Sequence, residues 1–240
     1  MDTLKPNKVP KFPIFFIVLN IALIIGIYFL LTYSIKDILT DTVLKSTEHS
    51  NSTMTRVFVN EVYPRLKDSL QLTDNRQKAK DELSSEEIEV VDNAVRKFML
   101  GTDILKIKIY NINGVTVYSS HEQQIGEVEI DNAGFTKAIT GSSVSQITHR
   151  GSFSAFDGEV FDRDLIASYI PIYAQGQVIV GVAEVYTDRS QAVDFIEDRL
   201  VTVQAVIIPA LAAILLFASF VIWRVFHFSM RSNVSSLDRF

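Results

Sequence analysis

Tyr110, Tyr118, Arg150 and Tyr169 are the side chains of this sequence best suited to holding a small ligand. Arginine offers a planar fork of donors that matches a carboxylate two bonds at a time, and phenol hydroxyls can add further bonds. A guanidinium with tyrosines on neighbouring strands therefore suits a carboxylate. The alternative is that the tyrosines pack with their hydroxyls at the surface and Arg150 pairs with Asp157 or Asp162. Phe153, Phe156 and Phe161 lie close to Arg150 in sequence, as either a lid over a pocket or a small core of their own. Asp162, Asp164 and Glu159 are clustered carboxylates that could attract a divalent cation, although a solvated acidic surface is the commoner role for such residues.

Catalytic patterns are missing. The sequence has no glycine-rich phosphate loop, no HExxH, no G-x-S-x-G and no cysteine. The four histidines, His49, His121, His149 and His227, are scattered. No catalytic residue, metal or cofactor is expected, and without cysteine neither a disulfide framework nor a thiolate site can form. Asn51-Ser52-Thr53 fits the glycosylation triplet, a pattern common by chance.

Two uncharged apolar runs bracket these residues, Pro13–Tyr33 and Val201–Trp223. Each exceeds the roughly 20 helical residues that cross a bilayer core. The first lacks a small-residue cleavage site after it, so it reads as a retained anchor rather than a signal peptide. The chain is 48% hydrophobic with mean hydropathy +0.20, between soluble and polytopic proteins. Lys5, Lys8 and Lys11 precede the first run, and Arg224, Arg231 and Arg239 follow the second. With the chain at −5 and each flank at +2, the middle carries −9. Basic flanks stay cytoplasmic, which predicts both termini inside and the acidic middle outside. The expected layout is a cytoplasmic N-terminus over 1–12, a span over 13–33, an outer domain over 34–200, a second span over 201–223 and a short cytoplasmic tail over 224–240.

Within the outer segment, Ile35, Ile38 and Leu39, then Met54, Phe58, Val62, Leu66 and Leu70, recur at helical spacing. They predict a helix over 34–72, running on from the membrane and on the order of 90 Å long if unbroken from Pro13. Lys45–Thr53 is polar, either a solvated face or a break, and Pro64 predicts a kink. Thr73–Asp81 reads as a connector. Ser84 and Glu87 form a capping box ahead of a helix over 85–100, stopped by Gly101. The period then changes to two. Leu105, Ile107 and Ile109 alternate with Lys106, Lys108 and Tyr110, and Asn113-Gly114 turns the chain into Val115–Ser119. A short helix at Asn132–Ile139, a strand at Ser143–Arg150, a loop at Gly151–Asp162, and strands at Asp164–Tyr173 and Val178–Tyr186 complete a sheet over 104–187. Asp188 should cap the helix leading into the second span.

The stretches LKIKIYNINGVTVYSS, QIGEVEIDNAGFTKAITG, DLIASYIPIY and VIVGVAEVYTD resemble the single Cache domains, PAS-like outer modules of bacterial histidine kinases, chemoreceptors and membrane diguanylate cyclases. The resemblance spans about Ile104 to Asp188. It implies an α+β fold: an antiparallel five-stranded sheet with a long N-terminal helix, plus two transmembrane helices. It implies a pocket between one sheet face and the loops crossing it, where Tyr110, Tyr118, Arg150 and Tyr169 become the candidate ligand contacts. It also implies a receptor in the bacterial inner membrane that senses an organic acid or an amino acid, works as a homodimer, and passes motion through the second span to a cytoplasmic signalling partner. Ala210, Ala213 and Ser219 are small residues that permit close helix contact in that span. Such receptors normally continue into an output domain. Only about 17 residues follow Trp223, too few to fold alone, so the output is either missing from this chain or separate, and no enzyme activity is expected of the chain itself. No nucleic-acid partner is expected. The alternative is a membrane-anchored module that binds an envelope protein and needs no small ligand.

Overall fold

The structure, a computed structural model, describes residues 11–70, 85–174 and 178–237. Its elements are α1 (Lys11–Leu70), α2 (Ser85–Met99), β1 (Ile104–Asn111), β2 (Thr116–Ser119), a single 3-10 turn at Glu122–Gln124, α3 (Ala133–Ala138), β3 (Val144–Ala155), β4 (Gly158–Tyr173), β5 (Ile179–Asp188) and α4 (Ser190–Leu237). They form two compact units. One comprises Leu39–Phe195, and the other joins the sequence up to Ile38 with that from Ile196 onward. The expected connector at Thr73–Asp81, the Ser84 cap and most of the turn at Ala174–Gln177 lie outside the described residues.

In the Leu39–Phe195 unit the five strands make one antiparallel sheet, in the order β2-β1-β5-β4-β3. The last strand in sequence thus occupies the centre. Phe58, Val62, Leu66 and Leu70 on α1 and Val91 and Val95 on α2 are buried against Ile107, Ile109, Ile170, Ile172, Ala183 and Val185. Full burial of an aliphatic or aromatic side chain is worth roughly 1.5–3 kcal/mol each, so this stripe anchors α1. Gly101, at φ +76°, ends α2 as its composition predicts.

The polar stretch Lys45–Thr53 is not a break: Lys45, Ser46, His49, Ser50 and Thr53 form a solvated face, and the opposite face turns inward. α1 runs through it unbroken, and through Pro64. Thr47 and Asn51 are buried against the sheet. Asn51 Nδ2 donates to Ser168 Oγ and Thr187 Oγ1, both at 2.9 Å, and Ser145 Oγ donates to Ser168 Oγ at 2.8 Å. Thr47 Oγ1 accepts from Arg189 Nε at 3.0 Å. This half of α1 therefore docks through hydrogen bonds, and the other half through apolar burial.

The expected loop at Gly151–Asp162 is a hairpin instead. β3 and β4 continue pairing through Ser152↔Phe161, Phe153↔Val160 and Ala155↔Gly158. The alternation Ser-Phe-Ser-Ala supports a strand, and a turn with Gly158 at φ +130° closes it. The tip meets β1, where Phe156 N donates to Leu105 O at 2.8 Å. A bulge between Ile104 and Lys106 lets Ile104 share a face with Ile107, while Leu105 packs toward Phe153 and Leu165. Asp188 marks the start of α4, accepting from Ser190 N at 2.9 Å and Ser190 Oγ at 2.7 Å.

In the other unit the apolar parts of α1 and α4 lie side by side. Their best windows reach mean hydropathies of 2.1 and 2.8, long and apolar enough to cross a membrane. Among the described residues, polar side chains within the apolar parts also join them. Gln204 Nε2 donates to Thr32 Oγ1 at 2.9 Å, and Asn20 Nδ2 donates to Ser219 Oγ. Ser219 thus faces α1, whereas Ala210 and Ala213 are exposed.

Candidate functional site

Strand alternation gives the sheet a second face, turned away from α1. Cross-strand register sets its residues in rows. One row runs Lys106, Tyr186, Ala167, Gln146, and the next runs Lys108, Glu184, Tyr169, Val144. Tyr110 and Val182 follow them. α3 covers part of this face, placing Phe135 and Ala138 on Tyr110, Ala167, Tyr169 and Val182. The Phe135 ring meets the Tyr110 ring edge-on, 5.8 Å between centroids.

A local device fixes α3 over the sheet. Asn132 caps it, its Oδ1 accepting from Gly134 N at 2.8 Å and Phe135 N at 3.2 Å. The other end of the same amide, Nδ2, donates to the Tyr169 hydroxyl at 3.0 Å. Gly134 lies flat on the Tyr169 ring, where a Cβ would fall 2.2 Å from two ring carbons. Only glycine permits that approach.

Beside α3 the face opens into a cavity of about 190 Å³. Glu184 and Tyr169 form its floor, Glu129 and Asn132 one rim, and Thr148 and Arg150 on β3 another. β3 is an edge strand, and its Gln146 and Arg150 are exposed, so the cavity opens on that side.

Glu184 is 1% exposed and accepts a hydrogen bond from the Tyr110 hydroxyl. Burial first, and then the Glu184 carboxylate, holds the phenols of Tyr110, Tyr169 and Tyr186 far above the usual tyrosine range. They are hydroxyl donors at every physiological pH. Two buried lysines flank the floor. Lys108 Nζ lies 3.6 Å from Glu127 Oε2. Lys106 Nζ stands 4.1 Å from the centroid of the Phe153 ring. Burial, and then the like charge of Lys108, lowers Lys106 to about 8.

Of the four residues singled out in the sequence, the fold brings Tyr110, Arg150 and Tyr169 to this one face. Tyr118 stands on the other. It is opposite Ile109 in register, buried in the core with α2, and its hydroxyl donates to Asp92 Oδ1 at 2.6 Å. The carboxylates considered as partners of Arg150 are engaged elsewhere: Asp157 with Arg96 at 3.1 Å and Asp162 with His149 at 3.3 Å. The three phenylalanines separate. Phe153 joins Ala155 and Leu165 in a small core beside Tyr186, Phe156 packs under Arg96, and Phe161 is exposed. Of the candidate cation carboxylates, Asp162 and Asp164 both meet the His149 ring, at 3.3 and 3.0 Å, while Glu159 accepts from Ser152 instead. Among the described residues no group of three or more His, Asp or Glu could hold a metal ion.

Glu184, Glu129, Asn132 and Tyr186 escaped the sequence reading. Glu184 had a detectable signal, a charge inside the otherwise apolar run Val182-Ala183-Glu184-Val185, which a buried strand tolerates only with partners.

No protein-family model matches the chain, and a search of the curated proteins finds no match. Solved structures similar to it include the sensor domain of the V. cholerae histidine kinase DctB, at 14% identity and TM-score 0.36, covering 65% of this chain and 59% of that one. The E. coli DcuS sensor domain is similar at 19% identity and TM-score 0.39, covering 68% and 98%. The isoleucine-bound sensory domain of a Campylobacter jejuni chemoreceptor is similar at 16% identity and TM-score 0.35, covering 72% and 65%. The chain thus spans less than two thirds of the first and third. At identities below 20% and TM-scores below 0.4, these likenesses carry no argument about the role of this chain or about the cavity.

Proposed function

We propose that Leu39–Phe195 is the ligand-reading domain of a two-pass membrane signalling receptor, and that the cavity beside α3 is its receptor site. One observation carries this reading. Where a sheet face covered by a helix would ordinarily be filled with apolar side chains, this one holds a buried carboxylate among tyrosine hydroxyls, with a guanidinium at an open mouth. A docking module would fill that space.

The ligand class follows from the charges. Arg150 offers a fork for a carboxylate. Glu184 and Glu129 offer acceptors for an ammonium. A small molecule carrying both groups, of the amino acid class, satisfies the cavity better than a simple organic acid, which would leave Glu184 and Glu129 facing its own charge. In this reading the receptor sits in a bacterial inner membrane as a homodimer, with both termini cytoplasmic and the acidic domain outside. Ligand favours one of two arrangements of α4, which carries the state to a cytoplasmic signalling partner.

The test is a thermal-shift screen of the full chain in detergent micelles against amino acids, simple carboxylic acids and amines. A ligand at 100 times its Kd adds about 2.7 kcal/mol to the folded state. An amino acid should raise the midpoint in the wild type and fail to do so in R150Q and E184Q. A wild type indifferent to all three classes, or variants that respond as strongly as it does, would overturn the proposal.

A further inference from the structure

A second recess lies on the other face of the sheet. β3 begins at Val144, opposite Tyr169, so beyond that point Ile170–Tyr173 of β4 are paired only with β5. Alongside this open edge runs the turn of α1 that carries Thr55, Arg56 and Asn60. Between them is a trough of about 450 Å³, more than twice the volume of the cavity beside α3.

Three features distinguish it from a packing gap. Thr55 lines it, is 1% exposed, and its hydroxyl has no hydrogen-bond partner, although Asn51 one turn earlier is fully engaged. Buried hydroxyls are nearly always satisfied. Arg56 and Asn60 sit one turn apart at the rim, and Arg56 forms no ion pair among the described residues. Among the described residues the remaining lining is Val59 and the stretch Ile170–Tyr173, with no acidic side chain.

We infer that the trough is a second binding site, for a small anion whose carboxylate or phosphate oxygens are held by the Arg56 guanidinium, the Asn60 amide and the Thr55 hydroxyl. All three can donate, and the guanidinium does so from a planar fork. The sheet separates this site from the cavity beside α3. Because its walls are α1 and β4, an occupant would bias the placement of one against the other.

The full chain in detergent micelles is titrated with inorganic phosphate and with succinate, using chloride at matched ionic strength as the reference. One of the two anions should raise the thermal midpoint above the chloride reference and slow amide exchange over residues 52–60; which one does so tells phosphate from carboxylate. R56Q should weaken the apparent affinity by about tenfold or more, the loss of a charge-assisted hydrogen bond. T55V keeps the shape of the side chain and removes an unmet hydroxyl. It should leave the ligand-free midpoint unchanged or higher while reducing the anion response. The inference fails if chloride reproduces the effect, if neither anion acts, if R56Q and T55V respond like the wild type, or if the protection appears only around residues 129–150 and 182–186.

Discussion

Replacing Lys106 by Met should stabilise the protein at neutral pH, and the gain should shrink as pH rises. Lys106 is 4% exposed, wedged between the rings of Phe153 and Tyr186. Burial, followed by the like charge of Lys108, lowers its ammonium to about 8 from 10.5. The unfolded chain therefore holds this proton more tightly than the folded one. Stability rises with pH wherever the unfolded state carries more protons, which here is the window from about 8 to 10.5. Below it the full penalty applies, about 3 kcal/mol for a difference of about 2.5 pH units. The cation–π contact with Phe153 offsets roughly 0.5–2 kcal/mol of that. K106M should accordingly be about 1–3 kcal/mol more stable at pH 7, and about 2 kcal/mol of the difference should vanish by pH 9.5.

Four tyrosines act in the opposite sense at higher pH. Burial first holds Tyr110, Tyr118, Tyr169 and Tyr186 above the ordinary 10.0. Their contribution is complete below pH 10 and is lost as tyrosines of the unfolded chain ionise above it. They are common to both proteins, so the difference between wild type and K106M isolates Lys106. Urea unfolding of the full chain in detergent micelles, followed by circular dichroism at pH 7, 8.5 and 9.5, measures it. Parallel pH profiles, or a K106M protein less stable than wild type at pH 7, would refute the reasoning.

Three further outcomes follow from the contacts. Asn51→Ala removes three buried hydrogen bonds, one with Ser168 and two with Thr187, and leaves both short of a partner; it should destabilise the Leu39–Phe195 unit by about 2–3 kcal/mol in the same assay. Gly134→Ala would set a Cβ 2.2 Å from the Tyr169 ring, and the forced repacking should lower stability by about 1–3 kcal/mol and abolish the response to amino acids. Tyr118→Phe loses its bond to Asp92 and should lower stability by about 1.5–3 kcal/mol while leaving ligand affinity intact; a changed affinity in calorimetric titration would show that the face away from α1 is not where the ligand is read.

Much of the fold is legible locally. The heptad-like stripe of Phe58, Val62, Leu66 and Leu70, the α2 pattern ending at Gly101, and the Asn-Gly turn after β1 each state their conformation within a dozen residues. The tip of the β3–β4 hairpin is not legible in this way. Gly151, Asp157 and Gly158 read as loop, and pairing between positions up to twenty-five residues apart overrides them. The polar run Thr47–Asn51 is a similar case. Its side chains look solvated until Ser168 and Thr187, more than a hundred residues later, supply their partners.

The site divides along the same line. Residue chemistry, together with the expected strand placement, selected Tyr110, Arg150 and Tyr169, because phenols and guanidinium are what a carboxylate needs. It selected Tyr118 equally, because type does not reveal which face of a strand lies inward; that depends on register, and Ile109↔Tyr118 puts this ring with the core. Glu129 and Asn132 come from the segment between β2 and α3, which is held at the cavity by contacts with the β1–β2 turn and with Tyr169.

By itself the sequence determined the two apolar runs, their basic flanks, the acidic middle and the type of nearly every element, since hydropathy, charge and periodicity act over one or two turns. Tertiary structure alone decided the strand order. By inserting the last strand, β5, between β1 and β4, it placed Glu184 between Lys108 and Tyr169 and made a carboxylate the floor of the cavity. That outcome rests on hydrogen bonds and burial between segments far apart in the chain, and no local pattern carries them.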